Sequence, residues 1–227
     1  MIMKKIISSL VTVAAVSLSI SAFAAASTTQ DTSYSLGFMF GHQMHQMKAA
    51  IDAKAYNKGL TTGLSGKHSR LSDAQMKALL MNFQVNMQQK GKQMMQSQAA
   101  ANAKTGEKFL ADNKNKKGVV TLPNGLQYKI LEEGKGKKPT ANDTVTVDYE
   151  GKLVNGKVFD SSYKRGTPAS FPVNGVIPGW TQALQLMPEG STWDLYIPAK
   201  LAYGSRGVPG IGPNQTLIFK VHLRKVK

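Results

Sequence analysis

Val145–Ser162 reads VTVDYEGKLVNGKVFDSS, and its punctuation decides the fold of the C-terminal half. From Thr144 to Tyr149 apolar and polar residues alternate in the two-residue rhythm of a half-buried strand. Asn155-Gly156 is a hairpin signal, because a two-residue turn of this kind needs positive φ at both central positions. It joins the strand Thr144–Leu153 to a second one at Val158–Asp160. The chain then breaks from apolar residues into VFDSSYKRG over 158–166, which sets a carboxylate at the end of a hydrophobic wall.

Working outward, further strand-like runs fall at Leu126–Leu131, Thr192–Ile197 and Thr216–Lys225, separated by turns rich in Gly and Pro. One short helix fits between Pro178 and Met187, with Gly190 as its stop. The pattern predicts an α+β module, an antiparallel sheet wrapped on a short helix. If Asp160 served acid–base chemistry, partners should be findable. His222 is the only histidine of this region and lies inside the last strand, and no second acid is placed to pair with Asp160. GVPGIGP has no lysine partner and is interrupted by prolines, so it is no phosphate loop. The chain has no cysteine, which removes thiolate chemistry, disulfides and cysteine-ligated metals. Neither a metal nor a cofactor is called for. What does accumulate is aromatic and aliphatic: Tyr149, Phe159, Phe171, Val176, Ile177, Trp180, Tyr203, Ile211 and Phe219.

The first half follows another grammar. Residues 31–116 contain no proline, and all 9 prolines lie from Pro123 onward. This Ala-, Gln-, Lys- and Met-rich stretch predicts three helices, over 32–48, over Asp52–Leu64 and from Ser72 to about Asn113. Leu36, Met39, Phe40, Met44 and Met47 share the first helix's apolar side. HQMHQM at 42–47 holds copper-ligand side chains, but His42 and His45 share one helix face and the methionines another, which favours packing. After Met95 the apolar stripe of the third helix fades, so its second half reads as a polar bridge through solvent, and the helix as a link about 60 Å long. Residues 1–24, with Lys4, Lys5, an apolar core and Ala22-Phe23-Ala24, have the form of a signal peptide. The expected organisation is therefore 1–24 leader, 25–117 helical dimerisation region with its connecting helix, and 118–227 sheet domain. The net charge of +16 stays strongly basic without Lys4 and Lys5. Its lysines are scattered and accompany no nucleic-acid motif, so they read first as a solvated face. A peripheral contact with an anionic membrane or extracellular surface comes next, and nucleic acid is excluded as a partner.

The run VTVDYEGKLVNGKVFDSS, followed by VIPGW, LAYGSRG and GPNQTLIFKVHL, resembles an FKBP (FK506-binding protein) peptidyl-prolyl cis–trans isomerase domain over about residues 120–227. With SYSLG, NKNKKGV, GLQYK and ALQLMPEGSTWDLYIP the resemblance extends to the macrophage infectivity potentiator (Mip) branch and spans nearly the whole mature chain. It implies a pocket in which Tyr149, Phe159, Asp160 and Tyr203 carry the catalysis. Val176, Ile177, Trp180, Phe171, Phe219, Arg165 and Ile211 would bind substrate, with Trp180 as the floor. Ala169 stands where many members carry phenylalanine, and the flap over Ser205–Pro213 is short; both bear on substrate preference.

Prolyl isomerisation makes no bond and moves no proton. Its barrier of roughly 20 kcal/mol is the loss of amide resonance. The twisted amide is less polar than the planar one, so an apolar pocket favours it if donors hold the flanking carbonyls. The resemblance implies proline-containing polypeptides as substrates, macrocyclic FKBP ligands as inhibitors, a homodimer through the N-terminal helices and a role in host-cell infection. It also implies export to the periplasm, outer membrane or cell surface of a Gram-negative bacterium. The competing reading is a periplasmic chaperone or surface adhesin that binds proline-bearing chains without catalysis, and activity on a short proline peptide separates the two.

Overall fold

The computed structural model describes residues 28–227; the expected leader at 1–24 lies outside the described residues. Helices α1 (Thr29–Gln46), α2 (Ala53–Leu64) and α3 (Asp73–Asn113) come first. The sheet domain follows with β1 (Val119–Thr121), β2 (Gln127–Glu132), β3 (Thr144–Leu153), β4 (Val158–Ser161), the one-turn helix α4 (Ser162–Arg165), β5 (Ala169–Pro172), α5 (Pro178–Leu184), β6 (Thr192–Ile197) and β7 (Leu217–Val226). The described residues up to Ser72 form one compact unit, and Asp73–Lys227 form a second.

In the first unit each helix begins where a side chain can take an orphan backbone donor. The Thr28 hydroxyl accepts from the Asp31 amide at 3.1 Å, and Asp52 accepts from the Ala55 amide at 3.0 Å. Phe40 of α1 stacks on Tyr56 of α2 with ring centroids 4.8 Å apart. That pair covers little of the apolar side of α1: Leu36 is 70% exposed and Met39 64%.

All strand pairs are antiparallel, in the order β1-β2-β6-β7-β3-β4, with β5 pairing β3 beyond that path. Inward positions Val145 and Val147 of β3, Leu195 and Ile197 of β6, and Leu217, Val221 and Leu223 of β7 are fully buried. They close on Ala183, Leu184 and Met187 in and after α5, also fully buried. Each large aliphatic side chain here contributes roughly 1.5–3 kcal/mol by leaving water. Pro178 opens α5, where its missing N–H is no loss. The α+β class stands as expected, and β3 and β6 occupy the predicted spans. β1 and β5 were not anticipated. They have three and four residues, too few for a periodic signal, and exist because β2 and β3 offer them free edges.

The polar bridge expected in the second half of α3 is corrected by the structure. Gly106 is buried, and a Cβ there would lie 2.3 Å from Thr216 Oγ1. Phe109 meets Tyr196 of β6 with centroids 5.9 Å apart, and Asn113 donates from Nδ2 to Gln127 Oε1 at 3.0 Å. Gln127 in turn donates from Nε2 to the Leu110 carbonyl at 2.9 Å. This half docks on the sheet domain through a glycine, an aromatic and amide side chains, none of which registers as an apolar stripe. The mid-helix glycine, unfavourable by up to about 1 kcal/mol relative to alanine, is what permits the close approach.

Candidate active site

The segment VFDSSYKRG, 158–166, folds into a compact device. β4 ends at Ser161, whose hydroxyl accepts from the Lys164 amide at 3.3 Å and caps α4. Gly166, with φ of 72°, ends α4 one turn later in the left-handed region that favours glycine. The turn brings Arg165 back onto Asp160. Pairing of β4 with β3 steps from Gly151↔Asp160 to Lys152↔Val158, so Phe159 is an extra residue in a bulge. Successive strand residues normally face opposite ways; the bulge lets Phe159 and Asp160 line the same cavity.

That cavity has a volume of about 410 Å³. Tyr149 of β3, Phe159 and Asp160 of β4, Phe171 of β5, Val176, Ile177, Trp180 of α5, Tyr203 and Phe219 of β7 line it, together with Gly175. Trp180 is 4% exposed and receives three near-perpendicular ring contacts, from Tyr149 at 5.3 Å, Phe171 at 6.0 Å and Phe219 at 5.2 Å. Edge-to-face packing of this kind holds each ring through its quadrupole as well as by area. Phe159 stands edge-on to Phe219 at 5.5 Å. Their approach depends on Gly151, where a Cβ would lie 2.6 Å from Phe219 Cε1 and 2.7 Å from Phe159 Cζ. A hollow of about 470 Å³ also lies against α5, but Asn174, Gln182 and Gln185 contribute to its wall and no aromatic does. An uncharged, water-shedding ring fits the aromatic cavity better.

One polar cluster interrupts the wall. The Tyr149 hydroxyl donates to Asp160 Oδ2, Arg165 Nη1 donates to Asp160 Oδ1, and Arg165 Nη2 donates to the Tyr149 oxygen at 2.9 Å. The guanidinium also sits 5.5 Å from the Tyr149 ring centre. Burial acts to raise the Asp160 pKa, but the hydrogen bonds from Tyr149 and Arg165 and the guanidinium charge outweigh it, leaving the carboxyl below its ordinary value. Burial, then the bond to Asp160, push the Tyr149 hydroxyl above its own. Asp160 is thus an ionised acceptor with its lone pairs engaged, and it orients Tyr149 and Arg165. Three donors of the cavity lining have no partner among the described residues: the Ile177 backbone N–H, the buried Trp180 indole N–H and the hydroxyl of Tyr203, a residue 38% exposed.

Two residues expected in the pocket sit elsewhere. Arg165 is beside Asp160, as the resemblance implies, but does not line the cavity; its contacts there are with Asp160 and Tyr149. Ile211 does not line the cavity; paired backbone hydrogen bonds with Val208, both 2.9 Å, turn it into the core, where it is 6% exposed. Gly151 and Gly175 went unpredicted, because a glycine gives no sign of which rings will approach it.

A family model described as "FKBP-type peptidyl-prolyl cis-trans isomerase" matches residues 135–224, over the cavity and its sheet, and one described as the domain amino-terminal to it matches residues 29–130. The chain belongs to the FKBP-type peptidyl-prolyl cis-trans isomerases. This FKBP chain is 48% identical over 217 residues to the "Outer membrane protein MIP" of Legionella longbeachae, covering 94% of the chain and 93% of that protein. It is 48% identical over 202 residues to the "Peptidyl-prolyl cis-trans isomerase Mip" of Coxiella burnetii, covering 88% of each. The crystal structure of FkpA from Escherichia coli superposes with a TM-score of 0.73 at 39% identity, over 87% of this chain and 96% of that one. The activity is that of its family, interconversion of the cis and trans forms of Xaa-Pro bonds.

Proposed function

We propose that this FKBP is an exported, dimeric prolyl isomerase acting on protein substrates by a non-covalent mechanism. The observation that carries the mechanism is the aromatic cavity with an ionised Asp160 whose oxygens are already engaged. The proline ring enters over Trp180, shedding water. The Ile177 N–H and Tyr203 O–H take the carbonyls flanking the twisting bond, and Tyr149, Phe159, Phe171 and Phe219 keep the amide in a weakly polar medium that favours its less polar twisted state. Tyr149 and Arg165, fixed through Asp160, present a rigid polar edge that orients the peptide.

The test is a protease-free isomerisation assay on a short Xaa-Pro peptide. Wild-type protein is expected to be active, and a macrocyclic FKBP ligand to block catalysis and change tryptophan fluorescence with the same occupancy. Trp180→Phe should remove most of that signal, because Trp193 lies in β6 outside the cavity. A folded protein inactive on the peptide would favour the holdase or adhesin reading, and a signal surviving through Trp193 would move the ligand elsewhere.

Dimerisation is proposed from α1. Leu36 and Met39 stay exposed on a small helical unit, and a second copy is the economical way to cover them. Light scattering on the mature protein should give twice the chain mass at micromolar concentration, and a fragment from Asp73 onward, one compact unit, should be monomeric and active on short peptides. A monomeric mature protein would overturn this. Export is supported by the form of residues 1–24 and by the relative named as an outer membrane protein. No helix among the described residues is long and apolar enough to cross a membrane. The basic surface offers peripheral contact with anionic membrane or extracellular surfaces.

A further inference from the structure

We infer that α3 belongs to the isomerase machinery, with Asn102 as a positioning residue that holds the flap and its flanks, residues 203–214, with Tyr203 at the base. The inference rests on the isomerase reading above. Asn102 Nδ2 donates to the Pro213 carbonyl at 2.7 Å, across 111 residues of chain. The flap answers at the next residue, where Asn214 Nδ2 donates to the Ala99 carbonyl at 3.3 Å. A helix and a loop are laced by two side-chain amides running in opposite directions.

The lacing reaches the cavity through the backbone. Asn214 has a φ of 51°, uncommon for a residue other than glycine. In that conformation its own N–H donates to the Gly204 carbonyl at 2.9 Å, directly beside Tyr203. The flap also contains Gly204, Gly207 and Gly210 at positive φ. A segment with so many glycines has many conformations to lose, and its internal bonds are few: Val208 with Ile211, and Asn214 with Gly204. The helix supplies the missing constraint. Gly212 lies against it, where a Cβ would be 3.3 Å from Gln98 Nε2 and 3.6 Å from Asn102 Nδ2, and Gly106 lets α3 close on Thr216 at the flap's far end. Pre-ordering the flap places the Tyr203 hydroxyl before substrate arrives, so less ordering is left for the transition state.

The experiment uses the mature full-length chain and two variants. Asn102→Ala removes the donor to Pro213, and Asn214→Gly removes the bond to Ala99 while keeping the left-handed backbone accessible. Hydrogen exchange at the amides of Val208, Ile211 and Asn214 is expected to quicken about tenfold in either variant, with the amides of β3 and β7 unchanged. On a short Xaa-Pro peptide kcat/KM should fall roughly three- to tenfold. Flap exchange and kcat/KM within about twofold of wild type in both variants would overturn the inference, as would quicker exchange without loss of kcat/KM. Equal acceleration at β3 and β7 would also overturn it, by showing general destabilisation. Wild-type protein inactive on the peptide would instead defeat the isomerase reading itself, so the two failures are distinguishable.

Discussion

Gly151→Ala is expected to cut isomerisation by about ten- to a hundredfold while the sheet domain remains folded, the rate equivalent of roughly 1.4–2.7 kcal/mol. A Cβ at this position would lie 2.6 Å from Phe219 Cε1, and 2.7 and 2.8 Å from Phe159 Cζ and Cε2. No carbon pair tolerates such distances, so both rings must turn. Phe219 cannot turn freely, because it stands 5.2 Å from Trp180 and 5.5 Å from Phe159 in near-perpendicular contacts. The displaced ring moves into the space that the proline needs. Overpacking of this kind also costs about 1–3 kcal/mol of stability. A thermal melt, an isomerisation assay and ligand-induced Trp180 fluorescence should register the three effects together. A folded Gly151→Ala protein with wild-type activity would mean that the Phe159–Phe219 wall does not shape the site.

Asp160→Leu is expected to lower kcat/KM about tenfold, towards the small end of the range for hydrogen bonds to a charged group because the carboxylate is 41% exposed. Leucine preserves bulk at the wall but releases Tyr149 and Arg165 together. Tyr149→Phe, which keeps the ring and the Asp160–Arg165 ion pair but removes the hydroxyl that donates to Asp160 and accepts from Arg165, should lose less. The pH dependence follows from the same cluster. The Asp160 pKa is lower in the folded protein than in the unfolded chain, so its contribution to stability is complete above the ordinary aspartate value of about 3.9 and is lost as pH falls through the lowered folded value. Tyr149, pushed upward, keeps its proton beyond the ordinary tyrosine value of about 10. Between these limits no group of the cluster changes charge, and activity should be flat from about pH 5 to pH 9. A bell-shaped profile centred near neutrality, or an Asp160→Leu protein as active as wild type, would reinstate acid–base chemistry or remove Asp160 from the site.

Much of this site is legible in the amino-acid sequence. Alternation from Thr144 and the Asn155-Gly156 turn predict the β3–β4 hairpin, since a strand's period and a turn's positive φ are local properties. The lack of a cysteine, of a sheet-domain histidine outside the last strand and of an acid to pair with Asp160 leaves covalent and acid–base mechanisms poorly equipped. Nine of the eleven residues named for the pocket line one cavity. Arg165 and Ile211 do not, because their places depend on how a single turn and a β-bridge redirect the chain.

The sequence by itself determined the three long helices, the strands β2, β3, β4, β6 and β7 and the short helix α5, for these depend on neighbours within a few residues, and composition alone removes thiolate and disulfide chemistry. Tertiary structure alone decided the rest. The bulge at Phe159 turns two successive residues to one side, and only pairing with Gly151 and Lys152 reveals it. Gly151 and Gly106 read as weak points in a strand and a helix until Phe159 folds back across the hairpin, and Phe219 and Thr216 arrive from far along the chain, to occupy the space their missing side chains leave. The polar second half of α3 has no stripe that forecasts burial. One side of it docks nonetheless, with Gly106 and Asn113 buried, because the side-chain amides of Asn102, Asn113 and Gln127 find carbonyl acceptors there, and a donor whose hydrogen bond is met in the interior no longer needs water.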